Sequence, residues 1–395
     1  MILNYIHSDN SKEKIKLDLD VPIKDDWINI SSKNKLEFIK TFLPAFMSGQ
    51  KTVLFDSNHK QLVKFHEENK LSEFDDFEKV DSTAQLLFFT SGSSGFPVGA
   101  FKTRENILQE VKELVNLVQN YKIKKVVVTV PFVHIYGVLA GLLLPLSLGD
   151  IELVIKEDFL PYEVLSESRD GDTLIVTTPV FIKALGKLSE DVDMSSNLFI
   201  CSTGPLQNDD ISVFQNKYNT NLLQLFGSTE TGGIAYKIST NEFWKPLPSS
   251  RVKSNDDKLQ VESPFISPYI LDKKIKRLAQ PFVTEDIIEL NNDGFKLIGR
   301  SNKLIKIAGK RISAAHIESI LESIEGVEKA VVELVYKKEL LRSEQILIKL
   351  QAKTKIEKSL IKSKIAECFG VLTIPFKVEY VEEIGLSAMG KKVIF

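Results

Sequence analysis

FFTSGSSGFPVG, residues 88–99, runs Thr90, Ser91, Gly92, Ser93, Ser94 and Gly95 together without a larger side chain between them. Such a run builds no core, but it can wrap an anion. Glycines reach positive φ, and successive N–H groups and hydroxyls can point into one concavity. The flanks support this use. Residues 84–89 (AQLLFF) read as a buried strand, and Ile107, Val111, Leu114, Val115 and Val118 recur at helical spacing within 103–121. Strand, glycine loop, helix is a phosphate-binding order. Taken alone, the stretch leaves two readings open, a phosphate cradle and an ordinary Gly/Ser turn.

The rest of the composition sets the frame. A chain of 395 residues is long enough for two or three domains. With 43% hydrophobic and 26% charged residues it reads as an ordinary globular protein. Fifty-one basic against fifty-three acidic side chains leave a formal charge of -2, which does not point to nucleic acid as a partner. The lysines of 122–125 read as a solvated face. Cys201 and Cys368 stand far apart with no CxxC pair, which argues against a disulfide framework or structural zinc and suits a reducing, cytoplasmic setting. The first twenty residues show no apolar signal-peptide core. The most apolar stretch, 133–148, is short for a membrane span and contains His134 and Pro145, so it reads as a buried helix.

Along the chain, 36–46 reads as a packed helix and 51–55 as a strand. Between 84 and 230, β-rich runs at 126–130, 173–177, 198–202 and 222–226 alternate with helical stretches, the pattern of an α/β domain with a mainly parallel sheet. Such sheets place ligands beyond the carboxyl ends of their strands. Three runs lead into polar loops there: the serine loop, CSTGPL after Ile200, and FGSTETGG after Leu225. From 258 the pattern turns to alternating strands, with NNDG at 291–294 as the turn of a hairpin. Beyond Arg300 the spacing predicts a small module: helices at 314–324 and 356–369, and strands at 330–335, 345–351 and 376–381.

Together these motifs resemble the acyl-adenylating superfamily, which includes acyl-CoA synthetases, the adenylation domains of peptide synthetases, and luciferases. Residues 89–99 match its phosphate loop, [YF]TSG[ST]TGxPKG. Phe226, Gly227, Ser228, Thr229 and Glu230 match [YF]GxTE. Thr284, Glu285 and Asp286, followed by 299–312, match TGD and GRxDxxIKxxGxRI, and Gly390-Lys391 matches a final Gly-Lys. A narrower likeness, to the compact AMP-ligases of aryl polyene and xanthomonadin-type pigment pathways, rests on His134-Ile135-Tyr136-Gly137, on GSTETGGIAY at 227–236 and on FWKPLP at 243–248.

The resemblance implies a large adenylation core over 1–301, with mainly parallel sheets plus a β-barrel-like part, and a small mobile α+β domain over 303–395 hinged at Asn302. It implies ATP, with AMP as product, and Mg²⁺. The serine loop would hold the β- and γ-phosphates, Thr229 the α-phosphate, and Glu230 the metal. Ser202, Thr203 and Gly204 would lie along the adenine, and Phe226, Gly227 and Ser228 would also bind the nucleotide. Asp286 would accept the ribose hydroxyls, with Arg300 against ribose or phosphate. Lys391 would reach the reacting groups from the small domain, with Lys392 as its fallback. Lys306 and Gly309 would face the site during thiol capture. His134 reads either as a core histidine or as lining the acyl pocket, and the resemblance favours the pocket.

Two departures stand out. Val98 replaces the lysine that closes the phosphate loop, with Lys102 left open as a substitute, and Glu285 replaces the Gly of TGD. The expected activity is an acid:thiol ligase that joins a carboxylic acid, aromatic by the narrower likeness, to a phosphopantetheine thiol on an acyl carrier protein. Coenzyme A as acceptor, or a non-catalytic nucleotide binder, is the alternative.

Overall fold

The computed structural model describes residues 2–16, 26–31, 34–57, 63–64, 67, 80–90, 98–272, 274–301, 304–307, 310–336, 344–369, 375–386 and 392–394. Most of the serine loop (91–97), Asn302, Gly309 and Lys391 fall outside them, and only the backbone of Lys306 is described. The chain is mixed α/β and divides into two units. One comprises Met1–Val252 with Val261–Phe282, the other Lys253–Gln260 with Val283–Phe395.

The first unit holds two large sheets. In the nine-stranded sheet, Asn221–Ser228, Leu198–Cys201, Thr173–Thr177, Lys125–Val128, Glu152–Ile155 and Ile2–Ile6 lie side by side and parallel. Gly232–Ile238 closes one flank antiparallel. All five side chains of Thr173–Thr177 and all four of Leu198–Cys201 are buried, as expected of strands covered on both faces. Helices Pro161–Ser168, Pro179–Gly186 and Asn208–Tyr218 lie against this sheet, their Val164, Leu165, Ile182, Leu185, Ile211 and Phe214 sharing a core with Ile175 and Phe199.

The six-stranded sheet corrects the order expected around the serine loop. Ala84–Thr90 leads not into a helix but into a second strand, Val98–Thr103, paired with it antiparallel, so that 91–97 connects the two strands of a hairpin. Helix Arg104–Val118 begins only afterwards. Its start is fixed by a reciprocal capping pair: the Thr103 hydroxyl accepts the Asn106 N–H at 3.0 Å, and the Asn106 side chain accepts the Thr103 N–H at 2.9 Å. The extra strand was hard to read because it is buried on both faces and so lacks polar alternation. Gly99 is its tightest point, since a side chain there would meet Leu87, Phe89 and Leu271.

The apolar stretch 133–148 folds as a π-helix, Gly137–Leu143, continued by the short α-helix Leu144–Leu148. All seven residues of the π-helical segment are buried. Among the described residues no helix is long and apolar enough to cross a membrane.

In the second unit, strands Val327–Tyr336, Glu344–Ala352 and Phe376–Tyr380 form one sheet, and helices Ala314–Glu322 and Lys358–Phe369 pack on it through Ile317, Leu321, Ile361 and Ile365. This is the module predicted from the spacing. The predicted hairpin is present as Phe282–Asn291 and Gly294–Arg300, its turn held by the Asn291 side chain, which accepts the Asp293 N–H at 2.8 Å.

Candidate active site

In the first unit the candidate residues gather where the central parallel strands end. Leu198–Cys201 and Asn221–Ser228 are adjacent and parallel, so the loops that follow them start side by side. Ser202 ties the two together, its hydroxyl donating to the Leu225 carbonyl at 3.0 Å. Thr203 follows at φ +85°, a left-handed conformation costly for a β-branched residue. Strain of this kind costs about 1–3 kcal/mol and clusters at ligand sites. Thr203→Gly removes the strain but loosens the unfolded chain by about 0.5–1 kcal/mol. The variant is therefore expected to gain about 1 kcal/mol of stability in chemical denaturation, and a loss would show that the conformation is not strained.

The next strand carries Phe226, Gly227 and Ser228, and pairing slips by a bulge between Phe226 and Gly227. Ser228 and Thr231 then close a tight turn on each other. The Ser228 N–H donates to the Thr231 hydroxyl at 3.1 Å, the Thr231 N–H donates to the Ser228 hydroxyl at 3.2 Å, and the hydroxyls lie 3.0 Å apart. Thr229 and Glu230 form the tip, both half-buried. The turn is compact because Gly227 passes directly over Gly232: a Cβ on Gly227 would lie 2.2 Å from the Gly232 carbonyl oxygen. Behind Phe226 stands Trp244, ring centroids 5.4 Å apart, with the Lys237 ammonium 4.9 Å over the indole.

His134 belongs to the same end of the sheet. Tyr136, two residues on, is buried with its hydroxyl between the carbonyls of Thr177 (3.1 Å) and Ile200 (2.8 Å), at the carboxyl ends of two central strands. Burial raises its phenol well above the ordinary value, so it stays protonated and can donate. Gly137 allows the close turn: a Cβ there would lie 2.0 Å from the Pro131 carbonyl oxygen. His134 is half-buried and lies outside the fully buried core.

Lys102, left open as a substitute for the lysine that Val98 replaces, lies on strand Val98–Thr103. It is fully buried, and its ammonium donates to the Phe265 carbonyl at 2.5 Å and the Glu230 carbonyl at 3.3 Å. Burial pulls its pKa down to about 8, against the opposing pull of Glu110 and Glu230. Both of these bonds are to backbone carbonyls. Glu110, which the sequence reading passed over, is buried beside it, and its Oε1 accepts the Gly233 N–H at 2.6 Å. Burial raises this carboxyl, while Lys102 and the Gly233 N–H lower it. Its signal was a glutamate in the apolar stripe of a helix, between Ile107 and Val111. A surface depression lined by Thr83, Thr103, Arg104, Glu105 and Leu108 holds none of the candidate residues.

The second unit carries its own pair. Asp286 and Arg300 stand directly opposite in the hairpin, Nε to Oδ1 3.7 Å, with Asp286 only 16% exposed. Glu285, the departure from TGD, precedes Asp286 in the strand and so points to the other face. There it bonds Lys258 at 3.0 Å and accepts the Ser301 hydroxyl, contacts that hold its carboxyl below the usual range. The substitution therefore leaves Asp286 in place. Lys392, the fallback for Lys391, is committed elsewhere: it pairs with Glu318 (3.0 Å) and Glu322 (2.6 Å) and donates to the Ala330 carbonyl at 2.8 Å.

Residues 30–279 match the family described as AMP-binding enzyme. The chain belongs to that family. A 4-coumarate–CoA ligase of Halorhodospira halophila is 26% identical over 63% of this chain and 59% of its own length. A 3,4-dihydroxybenzoate–[aryl-carrier protein] ligase of Bacillus anthracis is 22% identical over 81% of this chain and 76% of its own. The match spans less than two thirds of the length of the first of these relatives. Among solved structures, the o-succinylbenzoate CoA synthetase of Bacillus subtilis, in complex with its acyl-adenylate intermediate, superposes with a TM-score of 0.81 at 18% identity, covering 99% of this chain and 94% of that one. ATP-bound MatB of Rhodopseudomonas palustris gives 0.75 at 15%, over 98% and 93%. At these identities the superpositions establish the fold.

The donors at the tip of the turn fit a magnesium nucleotide. Hydroxyls and one carboxylate are hard oxygen ligands, and Mg²⁺ commonly takes one or two carboxylates with phosphate oxygens and water. Among the described residues no group of three or more His, Cys, Asp or Glu could hold an ion by itself.

Proposed function

We propose that this protein is an ATP-dependent acid:thiol ligase. A carboxylate oxygen attacks the α-phosphorus of ATP and the bond to pyrophosphate breaks. A phosphopantetheine thiol then attacks the acyl carbon, expelling AMP and losing its proton. The observation that carries this reading is the closed 228–231 turn, which presents Thr229 and Glu230 at the carboxyl end of a parallel sheet in an AMP-binding chain. Thr229 bonds the α-phosphate. Glu230 holds Mg²⁺, whose charge offsets that building on the phosphates. Phe226 and the 202–204 loop flank the adenine, and Asp286 with Arg300 receives the ribose.

The acid is aromatic, a hydroxybenzoate or hydroxycinnamate, with His134 lining its pocket. Support comes from the pigment-pathway likeness and from relatives named for 4-coumarate and 3,4-dihydroxybenzoate. The acceptor is an acyl carrier protein. Coenzyme A is the second reading, favoured by the CoA ligases among the relatives. Residues 303–395 turn about Asn302 between the half-reactions, bringing Lys391 for the first and Lys306 with Gly309 for the second.

The test is acid-dependent pyrophosphate release from MgATP over a panel of hydroxybenzoates, cinnamates and fatty acids, with Lys391→Ala alongside. Release with one acid class, falling at least 100-fold in the variant, is the expected result. ATP binding without release by any acid would favour a non-catalytic nucleotide binder, the reading to which Val98 and the commitment of Lys102 point.

A further inference from the structure

We propose that Lys102 and Glu110 form a buried clamp on the 228–233 turn, and thereby act as positioning residues for the Glu230 carboxylate. The inference rests on the adenylation reading. Lys102 grips the turn at the Glu230 carbonyl, and Glu110 grips it at the Gly233 amide. The Ser267 N–H adds a third bond, to the same Glu230 carbonyl at 2.8 Å. The peptide next to the Cα that bears the Glu230 carboxylate is therefore held by a cation and an amide together.

Gly232 and Glu110 are shaped to each other. Gly232 has φ +69°, and a Cβ on it would lie 2.6 Å from Glu110 Oε2. Oε2 is itself buried without a hydrogen-bond partner among the described residues. A lysine and a glutamate taken out of water are costly, and apolar side chains of similar size usually serve stability as well or better. Packing alone does not account for two buried charged side chains here, whereas holding a carbonyl and an N–H at set positions does.

The placement also links two candidate parts of the site. Lys102 lies on strand Val98–Thr103, which leaves the serine loop, and Glu110 lies on helix Arg104–Val118, which follows it. At the start of that helix the Asn106 amide donates to the Pro264 carbonyl at 2.6 Å, beside the Phe265 carbonyl that Lys102 holds. One continuous segment, 98–118, thus carries both contacts to the Glu230 turn.

Calorimetric titration of the full chain with MgATP and, separately, with AMP tests this in wild type, K102M, E110Q, K102M/E110M, E230Q and K102M/E230Q. K102M and the apolar pair K102M/E110M are expected to lose at least tenfold in MgATP affinity, with AMP affinity within twofold of wild type. E110Q keeps the acceptor oxygen and is expected to retain most of the affinity. K102M/E230Q should bind no more weakly than E230Q, because both changes act through one carboxylate. A folded K102M/E110M that binds MgATP like wild type would overturn the clamp, as would an equal loss of AMP affinity or losses that multiply with E230Q. Wild type that binds neither nucleotide would remove the adenylation reading and the clamp with it.

Discussion

Glu230→Gln is expected to lower acid-dependent pyrophosphate release by about 100-fold or more, the scale seen when one preorganised electrostatic contact to a reacting centre is removed. The substitution keeps size and hydrogen-bonding shape but removes the negative charge. The turn is built by its backbone and by Ser228 and Thr231, so it should survive: the Glu230 carbonyl still accepts from Ser267 and Lys102, and the two hydroxyls still close on each other. Hence the effect should fall on magnesium and leave folding alone. Titration of Mg²⁺ at saturating ATP and acid would show a higher requirement in the variant, with an unchanged denaturation midpoint. A rate within threefold of wild type at equal Mg²⁺ would remove Glu230 from the metal site.

Gly227→Ala acts on the same turn from the opposite side. A Cβ at 2.2 Å from the Gly232 carbonyl oxygen meets unyielding backbone, with the Gly232 carbon and the Gly233 Cα next at 3.0 Å. No rotamer relieves this, and the two strands must part. We expect a loss of about 2 kcal/mol in stability, in the range of overpacked sites, and a fall in pyrophosphate release of at least tenfold as the tip shifts. Gly186→Ala is the control. It ends helix Pro179–Gly186, where an added Cβ would meet only Val213 at 3.4 Å, and alanine suits a helix better than glycine. Equal stability and activity in Gly227→Ala and Gly186→Ala would show that the bulge has room to relax.

The serine loop shows how far local reading carries. Its flanking strand was legible because Leu86, Leu87, Phe88 and Phe89 form a continuous apolar run. The strand after it was not. A glycine followed by Ala100, Phe101 and a lysine has no period of two. Only pairing with 84–90 on one side and Tyr269–Asp272 on the other makes 98–103 a strand. Glu110 was hidden in the same way. At helical spacing it faces the core, and only the fold reveals the Gly233 N–H waiting there, 123 positions away in sequence.

The sequence by itself determined the alternating α/β plan, the small C-terminal module, the family through its ordered motifs, and Thr229, Glu230, Asp286 and Arg300 as candidates. These are properties of short segments, because periodicity, turn chemistry and motif spacing are written within a few dozen residues. The tertiary structure decided the roles that depend on partners distant in the chain. It buried Lys102 against two carbonyls, turned Glu285 away from Asp286, bound Lys392 to Glu318 and Glu322, and placed Thr203 in a left-handed conformation. A charged side chain reads the same in sequence whether it meets water, a phosphate or a buried carbonyl. What it meets is set by packing, and packing is long-range.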